Sequence, residues 1–250
     1  KMVADGAGFK REGDHVPIQG LGWQVLTSTF GPDGRLFFTL WKPRGNRSQL
    51  WALQGQKETT EMAEVKALLA KGFSSYKVDQ LLSFLGHADR RIRLQSQFDL
   101  VARKEAKALR STVADAKSDL LPRLHALWGL GQLKARDREL LKLLCRDQDD
   151  EMRAQAVRWA GDLGFDPDNL VPGLLRDPSP RVRLMAGIAS GKLKSTGALD
   201  SLTELIVGAG NKETVLRHAG ICGLAGVATP SELKRLSTHS SEALRIAAVV

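Results

Sequence analysis

The stretch DDEMRAQAVRWAGDL, residues 149–163, returns thirty residues later as SPRVRLMAGIASGKL, residues 179–193. Each copy opens on a good helix N-cap, Asp149 or Ser179. Each carries an arginine four positions on, Arg153 or Arg183, and an alanine three further, Ala156 or Ala186. Working outward, the same register runs through apolar-Arg pairs: Ile92-Arg93, Met152-Arg153, Val182-Arg183, Leu216-Arg217 and Leu244-Arg245, with Pro122-Arg123 as a variant. The arginines stand at 93, 123, 153, 183, 217 and 245, at intervals of 30, 30, 30, 34 and 28.

Four positions before each arginine lie Asp89, Asp119, Asp149, Ser179, Glu213 and Ser241. Asp and Ser cap helix N-termini, and the acids suit the positive end of a helix dipole. Three positions after it lie Ser96, Ala126, Ala156, Ala186, Gly220 and Ala248, all small enough for close helix–helix approach. Eight after it come Val101, Gly131, Gly161, Gly191 and Ala225. A shorter apolar segment precedes the caps at Gln80–Leu85, Glu139–Leu144, Leu170–Leu175 and Leu202–Ile206. Each unit therefore reads as helix, turn, helix in about 30 residues, so the chain is mainly α: an α-solenoid whose core is the stacked interface between neighbours. Asp147 and Asp177 each stand six before an anchor arginine. They form either a ladder between adjacent repeats or simple surface charges.

Upstream the pattern changes from helical to alternating. Trp23–Phe30, Arg35–Trp41 and Gln49–Leu53 read as three antiparallel strands, and Phe9–Ile18 is a candidate fourth. Pro32 and Asp33, between Gly31 and Gly34, predict a tight turn, because proline presets φ and glycine takes the exit. Three or four strands in about 50 residues have the size of one propeller blade. The expected organisation is a β segment over 1–57, a linker and first helix over 58–76, and a HEAT-like solenoid over 77–250, truncated at its C-terminus. Both ends read as cut, so the chain is expected to be a piece of a longer polypeptide.

Composition narrows the classes. With 42% hydrophobic and 26% charged residues the chain is globular rather than disordered. No run of eighteen apolar residues exists, and no signal-peptide pattern, so no membrane insertion by this segment is expected. The net charge is +9, but it is spread out: the first 57 residues hold 8 basic and 4 acidic groups. A nucleic-acid binder concentrates its charge in a stripe, which this chain lacks.

The anchored 30-residue units resemble HEAT-like repeats. RLHALWGLG (123–131), placed after FGPDGRLF (30–37), is similar to something narrower: the PVC-type (planctomycete and verrucomicrobial) membrane-bound dehydrogenases, which carry c-type haem. Leu81–Leu100, with Leu85-Gly86-His87 and RIRLQ (91–95), resembles that family's first repeat. The resemblance implies the end of a glucose/sorbosone-dehydrogenase-like β-propeller joined to HEAT-like repeats, in a periplasmic or cell-envelope redox protein. Haem c would then lie elsewhere in the parent protein, and propeller catalysis upstream of Lys1. A Ser-Asp-Trp ending expected after the hairpin is replaced here by Thr39-Leu40-Trp41.

The chain itself offers no catalytic constellation. Cys145 and Cys222 stand in no haem or zinc motif. No two of His15, His87, His125, His218 and His239 are three or four apart, and no phosphate-binding loop or nucleophile elbow occurs. His87 reads as a turn residue. No catalytic, cofactor-binding or metal residue is expected in this segment.

Positions two, five, six and nine after each arginine lie opposite the small-residue stripe. That row collects Gln95, Phe98, His125, Trp128, Gln155, Arg158, Trp159 and Asp162. Phe98, His125, Trp128, Arg158 and Trp159 are the candidate partner-binding residues, since Trp and Arg dominate interface hot spots. The two tryptophans equally suit gaps between repeats.

The leading expectation is a non-catalytic scaffold that holds a protein partner or adjoining domains of the same polypeptide. The alternatives are a sugar-alcohol or glucose/sorbosone-type dehydrogenase parent that passes electrons to haem, a basic solenoid that binds nucleic acid, and a bilin-lyase-like solenoid.

Overall fold

The computed structural model describes residues 2–5, 8–11, 24–31, 35–42, 47–53 and 59–249. Two compact units divide the chain, one of Gly13–Asp99 and one of Lys1–Glu12 with Leu100–Val250. The chain opens with an antiparallel pair, β1 (Met2–Asp5) and β2 (Gly8–Arg11). The start of the candidate strand at Phe9–Ile18 thus pairs with β1 and not with the sheet that follows; residues 12–18 lie outside the described residues.

In the unit of residues 13–99, β3 (Gln24–Phe30), β4 (Leu36–Lys42) and β5 (Arg47–Leu53) form an antiparallel sheet in the order β3-β4-β5. Alternation on β4 turns Phe38 and Leu40 inward, while β3 is exposed along its whole length. Gly31 N–H donates to Arg35 O at 2.8 Å, closing the β3–β4 connection. The predicted Pro32-Asp33 turn itself lies outside the described residues.

Helix α1 (Thr60–Lys71) starts where Thr59 Oγ1 accepts from Met62 N–H and ends at Gly72, which takes φ 73°. Phe73, Tyr76 and Phe84 cluster beyond it with ring centroids 5.2–6.1 Å apart. Phe84 closes α2 (Val78–Phe84), and α3 (Arg90–Ala102) follows.

From residue 100 on, helix pairs repeat. They are α4 (Ala106–Ala114) with α5 (Leu120–Gln132), α6 (Arg138–Leu144) with α7 (Asp150–Leu163), a 3-10 segment (Val171–Arg176) with α8 (Pro180–Leu193), α9 (Leu199–Ala209) with α10 (Thr214–Val227), and α11 (Pro230–Leu236) with α12 (Glu242–Ala247). The fold is a mainly helical repeat solenoid with a small sheet near its N-terminus. The segment Leu170–Leu175, expected as an α-helix, is instead a 3-10 turn. Pro172 near its start lacks an N–H, and Gly173 weakens helical propagation.

The anchor arginine has a defined task. Arg153 Nη1 donates to Asp147 O at 2.8 Å and Gln148 O at 3.2 Å. Arg183 does the same to Asp177 O and Pro178 O, and Arg245 to His239 O and Ser240 O. These carbonyls belong to the turn between paired helices and have no helical partner, so the guanidinium fork satisfies them. In the first pair Arg93 reaches His87 O and Ala88 O. Arg123, the variant, turns away: its Nε donates to Val113 O at 3.1 Å and its fork meets Asp147.

The residue six before the anchor steadies the same turn. Asp147 and Asp177 accept from the N–H of Asp149 and Ser179, and the rings of His87 and His239 accept from Asp89 and Ser241. The cap column is therefore only partly a set of side-chain caps. Asp89 accepts from Arg91 N–H and Asp149 from Met152 N–H, but Ser179 gives its hydroxyl to Asp150.

The ladder is real between adjacent repeats. Arg123 pairs with Asp147, both nearly buried. Arg153 grips Asp177 with two bonds of 2.8 and 2.9 Å. At the next turn the equivalent position is Asn211, which binds its own Arg217. There the junction relies on close packing instead. A Cβ on Gly187 of α8 would stand 2.9 Å from Ala219 O, and one on Gly191 would stand 2.5 Å from Cys222 O of α10. Only glycine lets the two backbones meet at those points.

Candidate partner-binding face

The second helices α5, α7 and α8 carry the small-residue column on their buried side: Ala126, Ala156 and Ala186 are fully buried. Spacing then sets what their other face presents, because side chains three and four apart share a stripe.

Five residues were expected on that face, and the structure distributes them unequally. Trp128 is 36% exposed, and Arg158 is exposed as well. Phe98, on α3 in the other compact unit, is 46% exposed. His125 and Trp159 are buried, the latter at 5%. Trp159 fills a gap between repeats: its Cδ1 lies 3.6 Å from where a Cβ on Gly131 would be, and its indole N–H has no acceptor among the described residues. Its side chain is part of the stack, not of the presented surface. His125 lies beneath the face with its ring edge-on to Trp128 at 4.9 Å.

Gln155, read as an outer-stripe residue, is also buried. The reason is a polar relay through three repeats. Trp128 Nε1 donates to Gln155 Oε1 at 3.0 Å, and Gln155 Nε2 donates to Glu151 Oε1 at 2.7 Å. Arg181, one repeat further, donates to both oxygens of Glu151, at 3.1 and 3.4 Å. Trp128 is thereby held in one orientation by His125 on one side and this relay on the other. A second relay lies toward the C-terminal ends of the helices. Asp162 accepts from Arg158 at 3.4 Å and forms an ion pair with Lys192. Glu151, Arg181 and Lys192 were missed in sequence. The signal available was their recurrence at the minus-two and plus-nine positions of neighbouring units.

The surrounding electrostatics are structural. Burial raises Asp177, yet the Arg153 guanidinium and the Ser179 N–H outweigh it and hold the carboxyl below its ordinary range. Hydrogen bonds from Arg138 bring Asp168 down to about 2 against burial, with Lys142 adding to the effect. Burial pushes the Cys145 thiol up to about 12, which keeps it protonated. Neither Cys145 nor Cys222 stands in a haem attachment motif, so this chain's residues do not fit haem c. One histidine does meet a cysteine one helical turn on: His218 Nε2 lies 3.6 Å from Cys222 Sγ on α10. Among the described residues, no three His, Cys, Asp or Glu side chains gather as metal ligands, and no helix is long and apolar enough to cross a membrane. The arrangement offers surface recognition: a fixed aromatic ring beside bridged charges.

Residues 138–225 match the family model of HEAT repeats. A Northeast Structural Genomics Consortium crystal structure of an engineered protein aligns at 15% identity, over 69% of this chain and 93% of that one, with a TM-score of 0.40. A designed armadillo repeat protein in complex with a (KR)4 peptide aligns at 17% identity, over 70% of this chain and 97% of that one, with a TM-score of 0.41. No curated protein matches the chain in sequence. Residues 138–225 are thus similar to HEAT repeats.

Proposed function

We propose that the chain is a non-catalytic interaction scaffold whose presented face is the exposed side of α5, α7 and α8. The observation that carries this reading is Trp128. A large aromatic residue is half-exposed yet locked by His125 and by the Gln155–Glu151–Arg181 relay. A preorganised aromatic platform loses little side-chain freedom on binding, which is what an interface anchor needs.

On this reading the scaffold serves a larger envelope or periplasmic redox protein of the PVC type. It positions a sorbosone-dehydrogenase-like propeller and a haem c domain, or docks a protein partner. The support is the order of motifs, FGPDGRLF at 30–37 followed by RLHALWGLG at 123–131. Two experiments test the two levels. A photo-cross-linking amino acid in place of Trp128, in the parent protein in its own cell, is expected to yield a discrete adduct with a partner or neighbouring domain; an absence of adducts sinks the scaffold reading. Propeller blades encoded before Lys1 and Cys-x-x-Cys-His after Val250 are expected of the parent, and a parent without them refutes the redox assignment.

A further inference from the structure

The presented face divides by chemistry. Helix α5 supplies apolar surface: Leu121 and Trp128, seven residues apart, are 42% and 36% exposed. The Trp128 N–H is already given to Gln155, so the ring offers a ligand contact area and no donor. Helices α7 and α8 supply charge: Glu151, Arg158 and Asp162 on the first, Arg181 and Lys192 on the second. Both acids are bridged. Glu151 accepts from Gln155 and Arg181, and Asp162 lies between Arg158 and Lys192. Three cations thus stand against two committed carboxylates. Arg158, with its side chain 56% exposed, touches Asp162 only at 3.4 Å and keeps guanidinium donors for an arriving anion.

We infer that this face binds an extended acidic segment of a protein partner, with an apolar side chain on Trp128 and a carboxylate on Arg158. The inference rests on the scaffold reading above and adds the partner's chemistry. Neighbouring helix axes pack about 8–10 Å apart, and an extended chain advances about 3.3 Å per residue. The apolar and acidic anchors are therefore about three residues apart in the partner. A second carboxylate about three residues further reaches Arg181 or Lys192 on α8.

The test uses a fluorescent, end-blocked peptide, Leu-Ser-Ser-Glu-Ser-Ser-Glu, titrated into the full 250-residue chain by anisotropy. Binding is expected, and replacing both Glu by Lys is expected to weaken it about tenfold or more, as like charges meet. Arg158→Glu, an exposed change that leaves the Trp128–Gln155–Glu151–Arg181 relay intact and Asp162 on Lys192 alone, is expected to reverse the preference toward the Lys peptide. Equal or tighter binding of the Lys peptide to the native chain overturns the inference. So does an unchanged affinity in Arg158→Glu, or an absence of binding at millimolar peptide. A cross-link at Trp128 in the parent together with any of these results leaves the scaffold reading standing and removes only the acidic partner.

Discussion

Gln155 illustrates what one residue's pattern conceals. By spacing alone it sits on the outer stripe, where a lysine is nearly neutral. In the fold it is buried between Trp128 and Glu151, one donor on one side and one acceptor on the other. Gln155→Lys is therefore expected to cost about 1–3 kcal/mol, because it leaves the Trp128 N–H unmatched and desolvates a charge. Arg158→Ala, on the same helix but exposed, is expected to stay within about 0.5 kcal/mol. Urea melts of the two variants check the assignment of helix faces. His125 and Trp159 were misplaced for the same cause. Whether a polar or aromatic side chain is buried depends on a residue from another repeat, and no local periodicity reports it. Ala156 and Ala186 were legible because close packing restricts their size in every unit alike.

At the scale of elements, helix contact distance decides which small residues are obligatory. Gly191→Ala on α8 would place a methyl against the backbone of Cys222 and Gly223 on α10. Alanine's better helix propensity, about 1 kcal/mol, opposes the loss, yet backbone cannot rotate away as a side chain can. A net destabilisation of about 1–3 kcal/mol is expected. Gly208 on α9 has open space around its Cα, so Gly208→Ala is expected to stabilise by about 0.5–1 kcal/mol. Thermal melts with opposite signs for the two substitutions confirm the seam; equal signs refute it. The helix pairs were legible from the recurring arginine, whose task is the same in most units. The 3-10 segment was not, since its apolar spacing is helical and only Pro172 and Gly173 argue otherwise.

Across residues 100–249 the ion pairs bind repeats to one another and make the stack sensitive to acid. Asp168, brought to about 2 by Arg138 and Lys142, has an unfolded value near 4. Its contribution is complete above about pH 4 and is lost as pH falls from about 4 to about 2. Asp177, also lowered, acts in the same direction. Melting temperature is expected to fall through that window, and Asp168→Asn is expected to flatten the dependence. Asp177→Asn should do more harm at neutral pH, about 1.5–3 kcal/mol, by taking the carboxylate from the half-buried Arg153, which keeps only its carbonyl acceptors. The double variant Arg153→Met, Asp177→Leu is expected to stay destabilised, because the Asp147 and Gln148 carbonyls lose their donor and the Ser179 N–H its acceptor; a double-mutant cycle separates this from the ion pair.

The same bridges act as a ruler on the gene. Arg123 must meet Asp147, and Arg153 must meet Asp177, at one fixed offset along the chain. Anchor spacing is 30 residues from Arg93 to Arg183, and the intervals of 34 and 28 begin only after Arg183, beyond the last rung at Asp177. Inserting or deleting a few codons between 123 and 177 pulls a buried arginine off its carboxylate. Duplicating or removing a whole 30-residue unit restores every pairing. Lineages carrying this protein should therefore change its length between Arg123 and Asp177 in steps of thirty, and in single residues after Arg183.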